Sequence, residues 1–480
     1  MEPEGPPELV ASRSCRNDKK LVAFILEQRM KLNESCSPTI TFYSNVKNNI
    51  HALWFYNYCE YYITHYSSSW PNTTKLKMYL LVQLNLLIAY STPGSKQLTE
   101  GYLKRARIAY ASEEDFCCLY NILHAKEVNT THFATDASAQ YLFYRALVRK
   151  NEDFYPSSYK SQIFENHLSQ VECKESIQHG RYLYARRSLP TGSTALREMP
   201  YASVLMNDFW VRCHHCLNYA PFVLIPCQSC SLAMFCSVTC RTRACEEYHS
   251  MECAIMPILI GQCTPIEFLA LRLTIRVYKM FPITSDALVA YIRGLSDDVR
   301  AHDYSAPDAK ANYRKIYRLA TNRRHLSKQT LTYDGLRAVS LAKMFVREHK
   351  LPTSFEEILA ELTVRHLHIL RVNALVLHCS KEDNSKEEYN STSEPYALVL
   401  LTTGSMFNHS CNANVEYHLS RDGEIVFVTN TYIPKGSQMY IDYRINPLDS
   451  RYVFECYCHQ CASKRVLSQL SFVSEYKGVF

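Results

Sequence analysis

Two sets of sulfur and imidazole ligands carry the chemistry most legible in this chain. Cys213, Cys216, Cys227, Cys230, Cys236, Cys240, His249 and Cys253 follow the spacing C-x2-C-x10-C-x2-C-x5-C-x3-C-x8-H-x3-C. Thiolate and neutral imidazole are the ligands zinc prefers, four to a tetrahedron, so eight of them in four spaced pairs predict two metal ions. His214, His215 and Cys245 fall inside this module and are read as bystanders. The second set is Cys456-Tyr457-Cys458-His459-Gln460-Cys461, whose C-x-C-x-x-C spacing is too tight for three independent structural thiols in a reduced cell. Such a site lacks one ligand. Cys411, in Asn408-His409-Ser410-Cys411, is the candidate fourth, and its ligation would tie the tail back onto that loop and close a pocket between them.

Elements on both sides must position these residues. The Asn408–Cys411 motif, Tyr443 about thirty residues on and the trailing cysteines resemble the second half of a SET domain with its post-SET zinc site. SET domains are protein lysine methyltransferases that use S-adenosylmethionine. Gly180-Arg181-Tyr182-Leu183, Ala185 and the turn Pro190-Thr191-Gly192 fit the start of the first half. The eight-ligand module between the halves resembles a MYND finger. Residues 175 to 465 are thus similar to the SET and MYND domain methyltransferases, nearest the branch with TPR-like helices ahead of the SET domain.

The resemblance implies several roles. The finger ligands interleave, with Cys213, Cys216, Cys236 and Cys240 on one zinc and Cys227, Cys230, His249 and Cys253 on the other. With the site formed by Cys411, Cys456, Cys458 and Cys461, that makes three zinc ions per chain. Tyr443 is the catalytic tyrosine. Gly180, Arg181, Tyr182, Asn373, Asn408, His409, Tyr443 and Phe454 approach S-adenosylmethionine, Phe454 packs on the adenine, and Tyr452 lines the lysine channel. Tyr182 stands where the family has a second glycine, and the Gly and Pro usual before the Asn-His-Ser-Cys motif are replaced by Leu398-Val399-Leu400-Leu401-Thr402. The expected activity is methyl transfer to a lysine of a histone or non-histone protein. The alternative is a catalytically weak adaptor that recruits partners through its finger and helices.

Composition sets broader bounds. At 480 residues the chain exceeds what one core needs, and 47% apolar with 21% charged residues describes a globular protein of two or more domains. The most apolar run, Met78 to Tyr90, is broken by Gln83 and Asn85 and falls short of the ~20 residues that span a bilayer, so no membrane partner is expected. The acidic, Pro-rich start is unlike a signal peptide, and 20 cysteines then suit a reducing compartment, cytoplasm or nucleus. The nine unclustered ones read as small buried hydrophobes. Between Arg272 and Lys328 there are 12 Lys or Arg and 5 Asp, a basic segment that could meet nucleic acid or an acidic protein but reads by default as a solvated helix surface. The finger could also take a peptide partner.

Apolar periodicity predicts helices over 20–30, 46–66, 76–90, 98–110, 112–126 and 136–150, with Ser112 a candidate cap, and a linker over 151–172. Short strands are expected over 182–185 and 195–205, and a hairpin over 415–429 around Arg421-Asp422-Gly423. Helices should start near Pro265, Ser285, Asp308 and Ser354, and Asn373 should sit on a strand through 371–377. The fold expected is α+β: a helical TPR-like lobe (1–170), the SET N-terminal part (171–211), the MYND finger (212–254), a helical insert (255–372), the SET C-terminal core (373–445) and a post-SET segment (446–480).

Overall fold

The computed structural model describes residues 47, 52–53, 55–57, 74–130, 136–153, 170–176, 180–295, 309–378, 395–443, 458 and 461. After helical residues at 52–53 and 55–57 come α1 (Thr74–Tyr90), α2 (Lys96–Ala111), α3 (Asp115–Val128) and α4 (Ala137–Asp153). Leu80, Leu81, Leu84, Leu87 and Ile88 give α1 its buried face. Gly94, at φ +74°, turns the chain into α2, whose N-terminus is capped by Ser95. Ser112 differs from its expected role. Its hydroxyl donates to the carbonyl of Ile108 and ends α2, while α3 begins after Glu114. The expected helix at 20–30 lies outside the described residues, as does most of that at 46–66 and of the linker. The linker's ends are structured, since α4 reaches Asp153 and the first strand starts at Val171.

The β-structure is a set of small sheets. β1 (Val171–Ser176) and β2 (Gly180–Ala185) form an antiparallel pair. β3 (Thr194–Glu198) and β4 (Ala202–Leu205) replace the single strand expected over 195–205, because Pro200 has no N–H to continue a ladder. β5 (Ile225–Pro226) and β6 (Met234–Phe235) pair within the finger, followed by helix α5 (Val238–Ala244). The insert contributes α6 (Met256–Gln262), α7 (Pro265–Tyr278), α8 (Ser285–Gly294), α9 (Ala309–Tyr317), α10 (Lys328–Glu348) and α11 (Phe355–Asn373). Four of their starts lie within a residue of those expected; α7 opens with a capping box in which Thr264 and Glu267 satisfy each other's backbone N–H.

Next come β7 (Leu375–His378), β8 (Pro395–Leu400), β9 (Asn408–His409), β10 (Val415–Leu419), β11 (Ile425–Thr429) and β12 (Tyr440–Ile441). β8 lies between β4 and β7, which explains why Tyr396 to Leu400 are buried without alternation. β10, β11 and β3 form a second sheet, with Gly423 at φ +84° in the predicted hairpin turn. The Tyr417 hydroxyl donates to the carbonyl of Val376 and ties the two sheets together.

Two polar joints hold the finger in place. In the first, Arg272 of α7 makes a bidentate pair with Glu252, both bonds 2.7 Å, and donates to the carbonyl of Ser203 in β4. Its guanidinium also lies 4.0 Å from the ring centre of Tyr248. In the second, Arg105 of α2, fully buried, donates to Asn85, Asn121 and the carbonyl of Leu224. Asn85 reaches the carbonyls of Trp210 and Pro221, and Asn121 that of Phe222. The helical lobe therefore grips the finger's first loop by its main chain. Inside the insert, buried His366 is held between the Thr274 hydroxyl (2.9 Å) and the Tyr313 hydroxyl (2.9 Å).

Removing Glu252 would strand a guanidinium that is 3% exposed. We expect Glu252→Ala to lower stability by about 3–5 kcal/mol in chemical denaturation. Burial also pushes the His366 imidazole down to about 3. An unfolded histidine titrates near pH ~6.5, so its neutral state contributes stability that is fully present above that pH and lost as pH falls towards 3. Unfolding measured across this window should show a shallower pH slope in His366→Gln than in wild type.

Candidate active site and metal centres

Three groups of ligands converge: Cys213, Cys216, Cys236 and Cys240; Cys227, Cys230, His249 and Cys253; and Cys411, Cys458 and Cys461, each with its ligand atoms within 4.8 Å of one another. A zinc tetrahedron with Zn–S of about 2.3 Å places its sulfurs about 3.8 Å apart. The separations here are 3.5 Å for Cys216–Cys236, 3.6 Å for Cys236–Cys240, 3.9 Å for Cys227–Cys253 and 3.5 Å for Cys411–Cys461. Donor type and spacing fit zinc in all three, and the finger pairs interleave as expected.

Local structure brings the ligands together. The β5–β6 turn carries Cys227 and Cys230, Cys236 follows β6, and Ser237 caps α5 so that Cys240 sits on its first turn. His249 ends the π-helical turn that continues α5. The backbone N–H groups of His215 and Ser229 point at the sulfurs of Cys213 and Cys227. His214 bonds the Phe209 carbonyl and His215 the Tyr248 hydroxyl, and neither they nor Cys245 join a ligand group among the described residues. Gly423 packs its backbone on Cys216: a Cβ there would lie 3.1 Å from the cysteine's own. Asn218 donates to the carbonyl of Arg421 beside it. The β10–β11 hairpin thus rests on the first ligand group. Cys456, Phe454 and Tyr452 lie outside the described residues.

Above the third group, β9 pairs in parallel with β12, Asn408 opposite Tyr440 and His409 opposite Ile441. Asn414, unmarked by any motif, clamps β12 by accepting the Tyr440 N–H and donating to the carbonyl of Gln438. This pairing carries Tyr443 to the Asn-His motif. The Tyr443 hydroxyl donates to the Phe407 carbonyl at 2.6 Å, and its N–H donates to Nδ1 of His409 at 3.1 Å. Burial holds the His409 imidazole below its ordinary range, against the opposing pull of Asp442. A neutral ring that accepts at Nδ1 carries its proton on Nε2, which lies 3.2 Å from the Cys411 sulfur. One imidazole therefore joins Tyr443 to a metal ligand.

The remaining sequence-predicted residues lie on β2 and at the end of α11. Arg181 donates to the carbonyl of Arg318 at 2.7 Å. Gly180 has φ +60°, and an added Cβ would meet nothing within 4 Å among the described residues, which leaves the backbone there open on that side. Tyr182 is half-buried on the strand face opposite Leu183 and Ala185. Asn373 requires a correction: it is the last residue of α11, not a strand residue, because β7 begins only at Leu375. Its amide donates to the carbonyls of Ala320 and Ile369, both at 2.7 Å, so its two hydrogens are spent on protein. Its own carbonyl accepts from the Ser405 hydroxyl, which ties the insert to the turn before Asn408. Ser405 has no sequence signal for this role, since its partner is 32 residues away.

We expect metal analysis of the purified chain to return about three zinc ions, because each ligand group makes one tetrahedral site. Cys458→Ser should lower the count by one, and chelation should unfold the finger, which has little apolar core of its own. A count of two, unchanged in Cys458→Ser, would remove the third centre.

A SET domain family model matches residues 170–444. The chain is 24% identical to the protein-lysine N-methyltransferase SMYD4 of Mus musculus over 66% of its length and 49% of the relative's. It is 24% identical to SMYD4 of Danio rerio, covering 62% and 50%, and 23% identical to a SET and MYND domain-containing protein of Dictyostelium discoideum, covering 60% and 59%. The chain spans about half the length of the SMYD4 relatives it matches. The matched span shows that the chain belongs to the SET domain family, and its interleaved finger ligands accord with its similarity to SET and MYND domain-containing proteins.

Proposed function

We propose that this chain is an S-adenosylmethionine-dependent protein-lysine N-methyltransferase acting on a lysine of a histone or non-histone protein in the cytoplasm or nucleus. The observation that carries the reading is Tyr443, whose hydroxyl is fixed on the Phe407 carbonyl while its backbone is fixed on His409, directly beside Asn408. The names of the mouse and zebrafish-genus relatives support it, since both are protein-lysine N-methyltransferases.

Bound S-adenosylmethionine would supply an electrophilic methyl group on a sulfonium. The open backbone at Gly180 and Arg181, with Asn408 and His409, would hold it, and Phe454 would cover its adenine. The chain's own task is then orientation and exclusion of water. A lysine amine with an ordinary pKa of about 10.4 must arrive neutral, which an apolar aromatic channel favours by disfavouring charge. The Tyr443 oxygen would meet the incoming amine and methyl group, and the Phe407 carbonyl fixes where that oxygen stands. The third metal centre, completed by Cys456 in a post-SET segment, would close the pocket from the tail side. The TPR-like lobe and the finger would serve as surfaces for partner proteins.

Calorimetric titration with S-adenosylmethionine, paired with transfer of labelled methyl to extract proteins, tests the reading. Wild type should bind and transfer. Tyr443→Phe should bind almost as well yet lose transfer by on the order of a hundredfold, because an interaction used mainly in the transition state appears in turnover and not in ground-state affinity. A wild-type chain that binds no cofactor would leave the adaptor reading in its place.

A further inference from the structure

The turn that delivers Phe407, Asn408 and His409 is held by a carboxylate from the other half of the domain. Glu198 ends β3, where its backbone is in register with Ile425 of β11. Its Oε1 accepts the N–H of Thr402 at 2.6 Å and of Thr403 at 3.0 Å; its Oε2 accepts those of Thr403 at 3.1 Å and Gly404 at 2.8 Å. The Thr402 hydroxyl donates to Oε1 as well. Three successive backbone N–H groups closing on one carboxylate form an anion nest, and charge-assisted bonds of this kind are stronger than neutral ones.

Everything next to this nest is constrained. Ser405 accepts the Leu401 N–H and donates to the Asn373 carbonyl. At Gly404 a Cβ would come within 2.5 Å of Leu401 and 2.7 Å of Phe427, so the turn sits on packed side chains. The Phe407 ring stacks on Phe427, 4.6 Å between centres. Three residues after Gly404 comes the carbonyl that receives the Tyr443 hydroxyl, and then the Asn-His pair. This is also where the chain lacks the Gly and Pro usual before the motif. Proline would stiffen such a turn from within; here the stiffness comes from β3.

We propose that Glu198 is a positioning residue for methyl transfer, fixing the 402–404 turn so that Phe407 aligns Tyr443 and Asn408–His409 meet the cofactor. The proposal rests on the methyltransferase reading above. Glu198→Gln keeps the shape but presents an NH2 to N–H donors. Losing a charged acceptor in this way should weaken S-adenosylmethionine binding and lower kcat at saturating cofactor, each about tenfold. Zinc content and cooperative thermal unfolding should be kept. Thr402→Val removes only the hydroxyl donor and should shift both quantities in the same direction by a smaller factor. A purely structural glutamate would lower the melting temperature and leave the cofactor Kd and kcat of the folded protein unchanged, which would overturn the proposal. Should Glu198→Gln fail to fold, Thr402→Val decides: unchanged Kd and kcat there overturn it equally. Wild-type protein that binds no S-adenosylmethionine sinks the underlying reading instead, a result distinguishable because it needs no variant.

Discussion

The buried pair of Glu252 and Arg272 is the constraint on which the arrangement of domains depends. A guanidinium in this position is tolerable only if its donors find acceptors, and three different parts of the chain supply them or stack on it: the finger through Glu252 and Tyr248, β4 through Ser203, and α7 through Phe268. An ion pair of this kind is geometrically strict. It adds little net stability compared with an apolar contact of equal volume, but it admits one relative orientation of finger, sheet and insert and penalises others.

Metal chemistry enters the same joint. Glu252 lies between His249 and Cys253, two ligands of one centre, and Cys216 of the other supports the hairpin at Gly423. The finger thus presents one surface to β4 and α7 and another to the β10–β11 turn. The finger is built into the core at two points, by the Arg272 ion pair that reaches Ser203 and by the contact of Cys216 and Asn218 with the β10–β11 turn. At the opposite end, His409 does the corresponding work on a smaller scale, with one ring nitrogen on the Tyr443 backbone and the other against Cys411.

What could be read from the sequence was local. Ligand spacing announced the metal groups because tetrahedral coordination demands it. Pro265 after Thr264, and Arg421-Asp422-Gly423 between alternating residues, marked a helix start and a hairpin because caps and turns are written within four residues. Ser112 misled because a serine that caps one helix and a serine that closes the previous one look alike when the helices are three residues apart. Asn373 misled because the helix and the strand that follows it are separated by Ala374 alone, with no turn residue to mark the boundary. Glu198, Asn85, Arg105 and Asn121 were illegible for a different reason. Each bonds main-chain atoms or side chains far away, 204 residues in the case of Glu198 and Thr402, and a main-chain carbonyl or N–H leaves no letter in the sequence.

The lobe's grip on the finger has a consequence in time. Arg105 finds Asn85 and Asn121 within the lobe, yet its third acceptor, the carbonyl of Leu224, is encoded 119 residues later. At about 5–20 residues per second, the ribosome takes roughly 6–24 s to deliver that acceptor, long after local helices have formed. During that interval water takes the place of the Leu224 carbonyl at Arg105, and the lobe's apolar floor lacks Phe222. The helices are therefore made open on one side, and the finger that follows is the piece that covers it.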